Sequence, residues 1–244
     1  MTRGGRDLSP LDGTTVYLAR GHTKEVPSGT AWLTPSEQSV EAGLALAKRR
    51  EDWRLGRWLA KRAVVASLAG RRHGIQPSDV EVAARPDGAP EARVSTAGDA
   101  IPLAISISHS EGVGLAVAAI GDVAVGCDVE RIAPRSERFV EDYFTTEERE
   151  ALDLTPSPQR STTVTLIWSA KEAALKVLKQ GLRADTRSVV VEVPGTRQSH
   201  DPSTRRWSTI QVRAPGDERL EGYWLADDDF VWTIVADRPL RLAP

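Results

Sequence analysis

The chain has 244 residues, with 32 Lys+Arg against 34 Asp+Glu and a formal charge of −2. Apolar residues make up 40 % and charged residues 27 %, which supplies a buried core and excludes bulk disorder. The near-balance of charge excludes a general nucleic-acid or membrane-surface coat and leaves room only for a local basic patch. Cys127 is the single cysteine, so neither an internal disulfide nor a Cys-rich zinc site can form, and a reducing compartment is expected. No apolar run approaches bilayer length, and the start Met1-Thr-Arg-Gly-Gly-Arg-Asp7 lacks the apolar stretch of a signal peptide. The expectation is a soluble, cytoplasmic protein of one large or two small domains.

In chain order, residues 1–12 read as a polar lead-in and Thr14–Ala19 as a first strand. The stretch Ser36–Arg72 has few breakers and predicts one or two helices. Leu55, Trp58, Leu59, Ala63, Val65 and Ala66 fall on one side of it, and Arg50, Arg54, Arg57 and Lys61 stack on another. Pro77, Pro86, Gly88 and Pro90 then surround a strand at Asp79–Ala83. Leu103–Ser108 and Val113–Ile120 predict a hairpin, followed at once by a strand at Val123–Glu130. Residues 162–179 predict a helix and Ser188–Val193 a strand. Pro194–Arg206 reads as a polar loop, and Tyr223–Ala226 with Phe230–Ala236 as a closing hairpin. Helix, strand, then hairpin thus occurs twice, at 41–120 and 162–236, a hint of two similar lobes without sequence identity.

Four constellations carry possible chemistry. In Gly126-Cys127-Asp128-Val129-Glu130 the strand period points Asp128 and Glu130 to one face, where a divalent cation such as Mg²⁺ would resolve their repulsion. Taken alone, an exposed strand end neutralised by Arg131 and Arg135 is the better reading. In Trp168-Ser-Ala-Lys-Glu-Ala-Ala-Leu-Lys176, Glu172 and Lys176 share a helix face. An ordinary surface salt bridge or a Ser169-x-x-Glu172 capping box competes with a carboxylate beside a phosphate-gripping ammonium. Ser108 and His109 sit where a strand turns, fit for a phosphate contact or for nothing more than a surface. The stretch Lys48–Arg62 holds seven positive and two negative charges in fifteen residues, suited to phosphate or to a solvated helix face. No zinc-ligand spacing and no Gly-rich phosphate loop accompanies them.

Together and in order these segments resemble the 4′-phosphopantetheinyl transferase family, of the surfactin-synthetase-activating type. The family pattern is a Ser-His hairpin, then Gly-x-Asp-x-Glu, then Trp-Ser-x-Lys-Glu-x-x-x-Lys. Tyr143-Phe-Thr-Thr-Glu-Glu148 resembles its Phe-Phe-x-x-x-Glu element, and Lys48–Arg57 its basic helix. The resemblance covers roughly residues 40–195. Gly88-Ala89-Pro90 stands where the family often has Gly-Lys-Pro, and Ser106 where many members have Asn.

The resemblance implies an α+β fold of two similar lobes in one chain, related by a pseudo-twofold, drawn here at 1–121 and 122–244 with the metal site in the second. It implies a holo-acyl-carrier-protein synthase activity: the arm of coenzyme A passes to a serine of an apo acyl or peptidyl carrier protein, releasing 3′,5′-ADP. Asp128, Glu130 and Glu172 would hold Mg²⁺, and Lys176 would grip the pyrophosphate. Glu172 and Lys176 would be the catalytic pair, although ligand and base compete as roles for Glu172. Arg49, Arg57, Gly88, Pro90, Ser108, His109, Asp128 and Lys176 would bind coenzyme A. Residues 132–160, with Phe139, Val140, Tyr143 and Phe144, would dock the carrier. A monomer without nucleic-acid or membrane partners is expected. A Mg²⁺-dependent nuclease or phosphodiesterase, or a non-catalytic carrier-binding relative, are the alternatives.

Overall fold

The computed structural model describes residues 13–95, 101–179, 185–193, 206–227 and 229–243. The lead-in 1–12 and all but the last residue of the loop 194–206 lie outside them. The fold is α+β. β1 (Thr14–His22) leads to α1 (Pro35–Ala42), which starts with a capping box: Thr34 Oγ1 accepts from Glu37 N and Glu37 accepts from Thr34 N. Gly43 ends α1, and α2 (Ala47–Leu68) follows. β2 (Val80–Ala84) and β3 (Pro90–Val94) form a small ribbon.

β4 (Leu103–Ser110) and β5 (Val113–Ile120) make the expected hairpin, but β4 runs two residues further, so Ser108 and His109 lie within the strand. Glu111 and Gly112 both have positive φ, the two-residue turn whose twist matches the flanking strands. β6 (Val125–Arg131) follows, then α3 (Glu137–Tyr143), α4 (Thr146–Asp153) and α5 (Arg160–Val177). β7 (Val190–Glu192), β8 (Ser208–Arg213), β9 (Arg219–Ala226), β10 (Phe230–Ala236) and β11 (Leu240–Leu242) complete the described chain.

Two sheets organise these elements, in the orders β11-β1-β5-β4 and β6-β10-β9-β8-β7. Alternation along the strands assigns each face. Ala116 and Ala118 of β5 meet Leu55, Leu59 and Ala63 of α2. Leu115 and Val117 meet Val125, Cys127 and Val129 of β6 and Trp232 and Ile234 of β10, a core between the sheets. Val231 and Val235 of β10 turn the other way, toward Ile167, Ala170 and Ala174 of α5. The layers are therefore α2, first sheet, second sheet, α5. β11 pairs parallel with β1, so the end of the chain returns to the first sheet.

At the seam, β4 and β6 are edge strands of different sheets. Serine hydroxyls join them: Ser106 Oγ accepts from Cys127 N at 3.0 Å and Ser108 Oγ from Val129 N at 3.4 Å. Two side chains of one strand thus satisfy two backbone donors of the other, at the spacing of two that both strands share.

Candidate active site

The site is built on β6 and α5. Gly126 sets how close they come: a Cβ there would stand 1.9 Å from the Ala173 carbonyl oxygen of α5, so a side chain at 126 would push the helix away. Two residues on, Asp128 is 5 % exposed. Its Oδ1 accepts from Ser108 Oγ at 2.8 Å and from Lys176 Nζ at 3.2 Å. Lys176 also donates to the Cys127 carbonyl at 2.7 Å. The expected salt bridge along the helix is therefore replaced by one from α5 to β6. Burial alone would lower the Lys176 pKa, but the Asp128 charge and its neighbours raise it above the usual lysine value.

Glu130 Oε1 accepts from Trp168 Nε1 at 3.2 Å and Oε2 from Arg135 at 3.1 Å. Burial, then the charge of Asp128, raises the Glu130 pKa. Of the two arginines expected to neutralise the strand end, only Arg135 does so; Arg131 pairs with Glu111 instead. Glu172 lies inside α5, so Ser169-x-x-Glu172 starts no helix, and the Ser169 hydroxyl bonds Thr233 of β10 at 2.9 Å. Burial, then the charges of Asp128 and Glu130, pushes the Glu172 pKa up to about 7.

Asp128 Oδ2 and Glu172 Oε1 are both buried with no hydrogen-bond partner. Two buried acceptors without donors, beside carboxylate charges that raise the pKa of Glu130 and Glu172, are the electrostatic situation a hard divalent cation relieves. Among the described residues no three His, Cys, Asp or Glu side chains form a ready-made metal cage. A cation would have to draw Glu130 from its Trp168 and Arg135 partners. The donor set thus fits Mg²⁺ chemically, with Asp128 and Glu172 offering the free oxygens. The Cys127 thiol faces the core between the sheets, where burial pushes its pKa up to about 11 and leaves it no part in this chemistry.

Two cavities are lined by basic residues. The larger, about 720 Å³, is lined by Lys176 and Lys179 at the end of α5 and by Arg72, Arg85, Arg93 and Pro90 across from them. The second, about 550 Å³, is lined by Lys48, Arg49, Trp53, Arg57, Gly88, Pro90 and His109. Five of the residues expected from the sequence to bind a cofactor (Arg49, Arg57, Gly88, Pro90 and His109) thus share one cavity, and Pro90 borders both. Arg57 is held by Val82 O at 3.2 Å and by Trp53, 4.9 Å below its guanidinium. Desolvation lowers its pKa. His109 is exposed in part, yet desolvation of its ring lowers its pKa too.

Three other basic residues of α2 are used internally. Arg54 bonds Glu41, Pro27 O and Gly29 O, Arg50 bonds Leu44 O, and Lys61 is fully buried. Of the four apolar residues expected to dock the carrier, Val140 and Phe144 belong to the core, Phe139 is half-buried against it and Tyr143 is exposed, the last two packing on Trp168 at 5.0 and 5.2 Å between ring centres. Trp168, Trp53 and Ser106 are the residues the sequence reading left without a role here. Trp168 lies one helical turn before Glu172, a spacing that would have placed it on the same face.

The chain is 26 % identical over 161 residues to the 4′-phosphopantetheinyl transferase HetI of Nostoc sp., a match that covers 64 % of this chain and spans 65 % of the length of that relative. Among solved structures it is similar to the holo-[acyl-carrier-protein] synthase of Thermotoga maritima, at 23 % identity and a TM-score of 0.35, covering 53 % of this chain and 74 % of that one. The family model of the 4′-phosphopantetheinyl transferase superfamily matches residues 124–234, the stretch that runs from the start of β6 to β10 and holds Asp128, Glu130, Glu172 and Lys176.

Proposed function

We propose that this protein transfers the phosphopantetheine arm of coenzyme A to a serine of an apo acyl or peptidyl carrier protein, in the manner of the surfactin-synthetase-activating type. The observation that carries the reading is the pair of buried, donorless carboxylate oxygens on Asp128 and Glu172, with Lys176 bonded to Asp128 and lining one of two cationic cavities. In this reading the lobes are 1–121 and 122–244. The nucleotide end of coenzyme A meets Arg49, Arg57, Gly88, Pro90 and His109, and its pyrophosphate meets Lys176.

The carrier serine oxygen attacks the β-phosphorus, the bond to the bridging oxygen breaks, and 3′,5′-ADP leaves with the electron pair. The serine proton passes to Glu172, for which the roles of base and cation ligand compete. Lys176 sets its ammonium against the charge on the pyrophosphate. Asp128, Glu130 and Glu172 would hold Mg²⁺, which would supply further positive charge there. Ser108 keeps Asp128 in place through its hydroxyl. Phe139, Tyr143 and Trp168, with the exposed Arg138, offer an aromatic and basic surface to an acidic carrier helix.

The test is incubation of the protein with coenzyme A, Mg²⁺ and a panel of apo-carriers, read by intact mass and by chromatography for 3′,5′-ADP. A gain of one phosphopantetheine arm, with one nucleotide released per arm, supports the reading. Cleavage of DNA or RNA without transfer assigns the site to a nuclease. Carrier binding without modification assigns it to a non-catalytic relative.

A further inference from the structure

Two segments singled out in the sequence have no part in the chemistry above: Glu148 of the Tyr143–Glu148 element, and the lysine that precedes Glu172. They meet. Lys171 Nζ, on a side chain with no exposure, lies 2.9 Å from Glu148 Oε2, 2.9 Å from Thr186 O and 2.6 Å from Val189 O. Those are three acceptors for three N–H groups. Glu148 is the N3 residue of the α4 capping box, accepting from Thr145 N at 2.8 Å, and its other oxygen accepts from Val191 N of β7 at 2.7 Å. One buried ion pair therefore ties α4, α5, β7 and the turn before β7 together.

The first lobe repeats this arrangement. Glu37 is N3 of the α1 capping box, its Oε2 accepting from Thr34 N at 2.8 Å and its Oε1 from Val82 N of β2 at 2.9 Å. Lys61 of α2, fully buried, lies 2.6 Å from Glu37 Oε2 and donates to Trp32 O, Pro77 O and Val80 O. In both lobes a Thr-capped short helix, a long helix and the next strand are fastened by the same Glu–Lys pair. Each long helix carries a site group close by: Arg57 one turn before Lys61, and Glu172 next to Lys171.

We infer that Lys61 and Lys171 are positioning residues, each fixing the rotation of its helix so that Arg57 faces the nucleotide cavity in one lobe and Glu172 and Lys176 face β6 in the other. A buried ion pair is weak as a source of stability, because desolvation offsets its attraction, but its directional bonds allow one helix setting only. The inference rests on the transferase reading. The test is steady-state kinetics on the full chain with Lys61→Met and Lys171→Met, and with Glu37→Gln and Glu148→Gln as milder variants that keep an acceptor for the strand N–H. Folding is checked for each by circular dichroism.

Lys171→Met and Glu148→Gln are expected to lower kcat by about 10-fold or more while KM for coenzyme A stays within about 2-fold. Lys61→Met and Glu37→Gln are expected to raise KM for coenzyme A about 10-fold with kcat within about 2-fold. General loosening of the fold would move both constants together in both lobes. Equal losses in kcat and KM across the two pairs, or wild-type constants in the folded variants, overturn the inference while leaving the transferase reading intact. A wild-type chain with no transfer overturns that reading and this one with it.

Discussion

Asp128 is the residue on which most of the local bonding converges: Ser108 and Lys176 share one of its oxygens and the other has no donor. Replacement by Ala is expected to abolish transfer, by about 100-fold or more, since it removes a cation ligand and the partner of Lys176. A folded Asp128→Ala protein with near-wild-type turnover would contradict its role. Glu172 gives a prediction of opposite sign for stability. Its carboxyl keeps a proton up to about pH 7 in the folded chain and loses it near 4.5 when unfolded. The folded state thus binds the extra proton between those pH values, and stability falls as pH rises through that window. Glu172→Gln removes this penalty. In metal-free protein at pH 8 it is expected to be the more stable form, with little difference at pH 4.5, while transfer is lost. Urea melts at the two pH values measure it; a variant less stable than wild type at pH 8 contradicts the assigned environment.

At the scale of elements, the contact of α5 with β6 depends on Gly126. Gly126→Ala sets a methyl carbon against the Ala173 carbonyl, a clash with backbone that no rotamer relieves. The expected cost is about 3 kcal/mol or more, with loss of transfer, because the helix that carries Glu172 must move off the strand that carries Asp128. A urea midpoint unchanged from wild type would contradict it. The seam makes a separate prediction. Ser108→Ala leaves the Val129 N–H unpaired and Asp128 with Lys176 alone, at an expected cost of about 1–3 kcal/mol. Hydrogen exchange at the Val129 amide should speed up in this variant while the ladder between β9 and β10 stays protected. Unchanged exchange at Val129 contradicts the hydroxyl bridge.

At the scale of the molecule, much was legible in the sequence where one period governed a segment. The β4–β5 hairpin, α5 and the β9–β10 pair follow their apolar spacing, with ends shifted by a few residues. β3 escaped because only Ala92 of its five residues is buried, and β11 because three residues carry no period. β8 had a signal in the alternation of Ile210 and Val212, masked by the polar run before it. α4 also had one, since Thr145-x-x-Glu148 is a capping box. The four charged groups of the site came from motif and strand period. What sequence could not give was the pairing across elements: that Lys176 reaches Asp128 and not Glu172, that Arg54 and Lys61 are spent on carboxylates of α1, and that Glu148 meets Lys171. Those depend on how α5 and α2 lie on their sheets, which long-range packing decides. All of the proposed chemistry requires Asp128, Glu130 and Glu172 to take up one cation together, although without it they make no closed cage. Titration of Mn²⁺ with coenzyme A present, followed by electron paramagnetic resonance, reads this directly. One bound ion per chain, lost in each of Asp128→Ala, Glu130→Ala and Glu172→Ala, is the result expected. Undiminished binding in any of the three would contradict a shared seat for the metal.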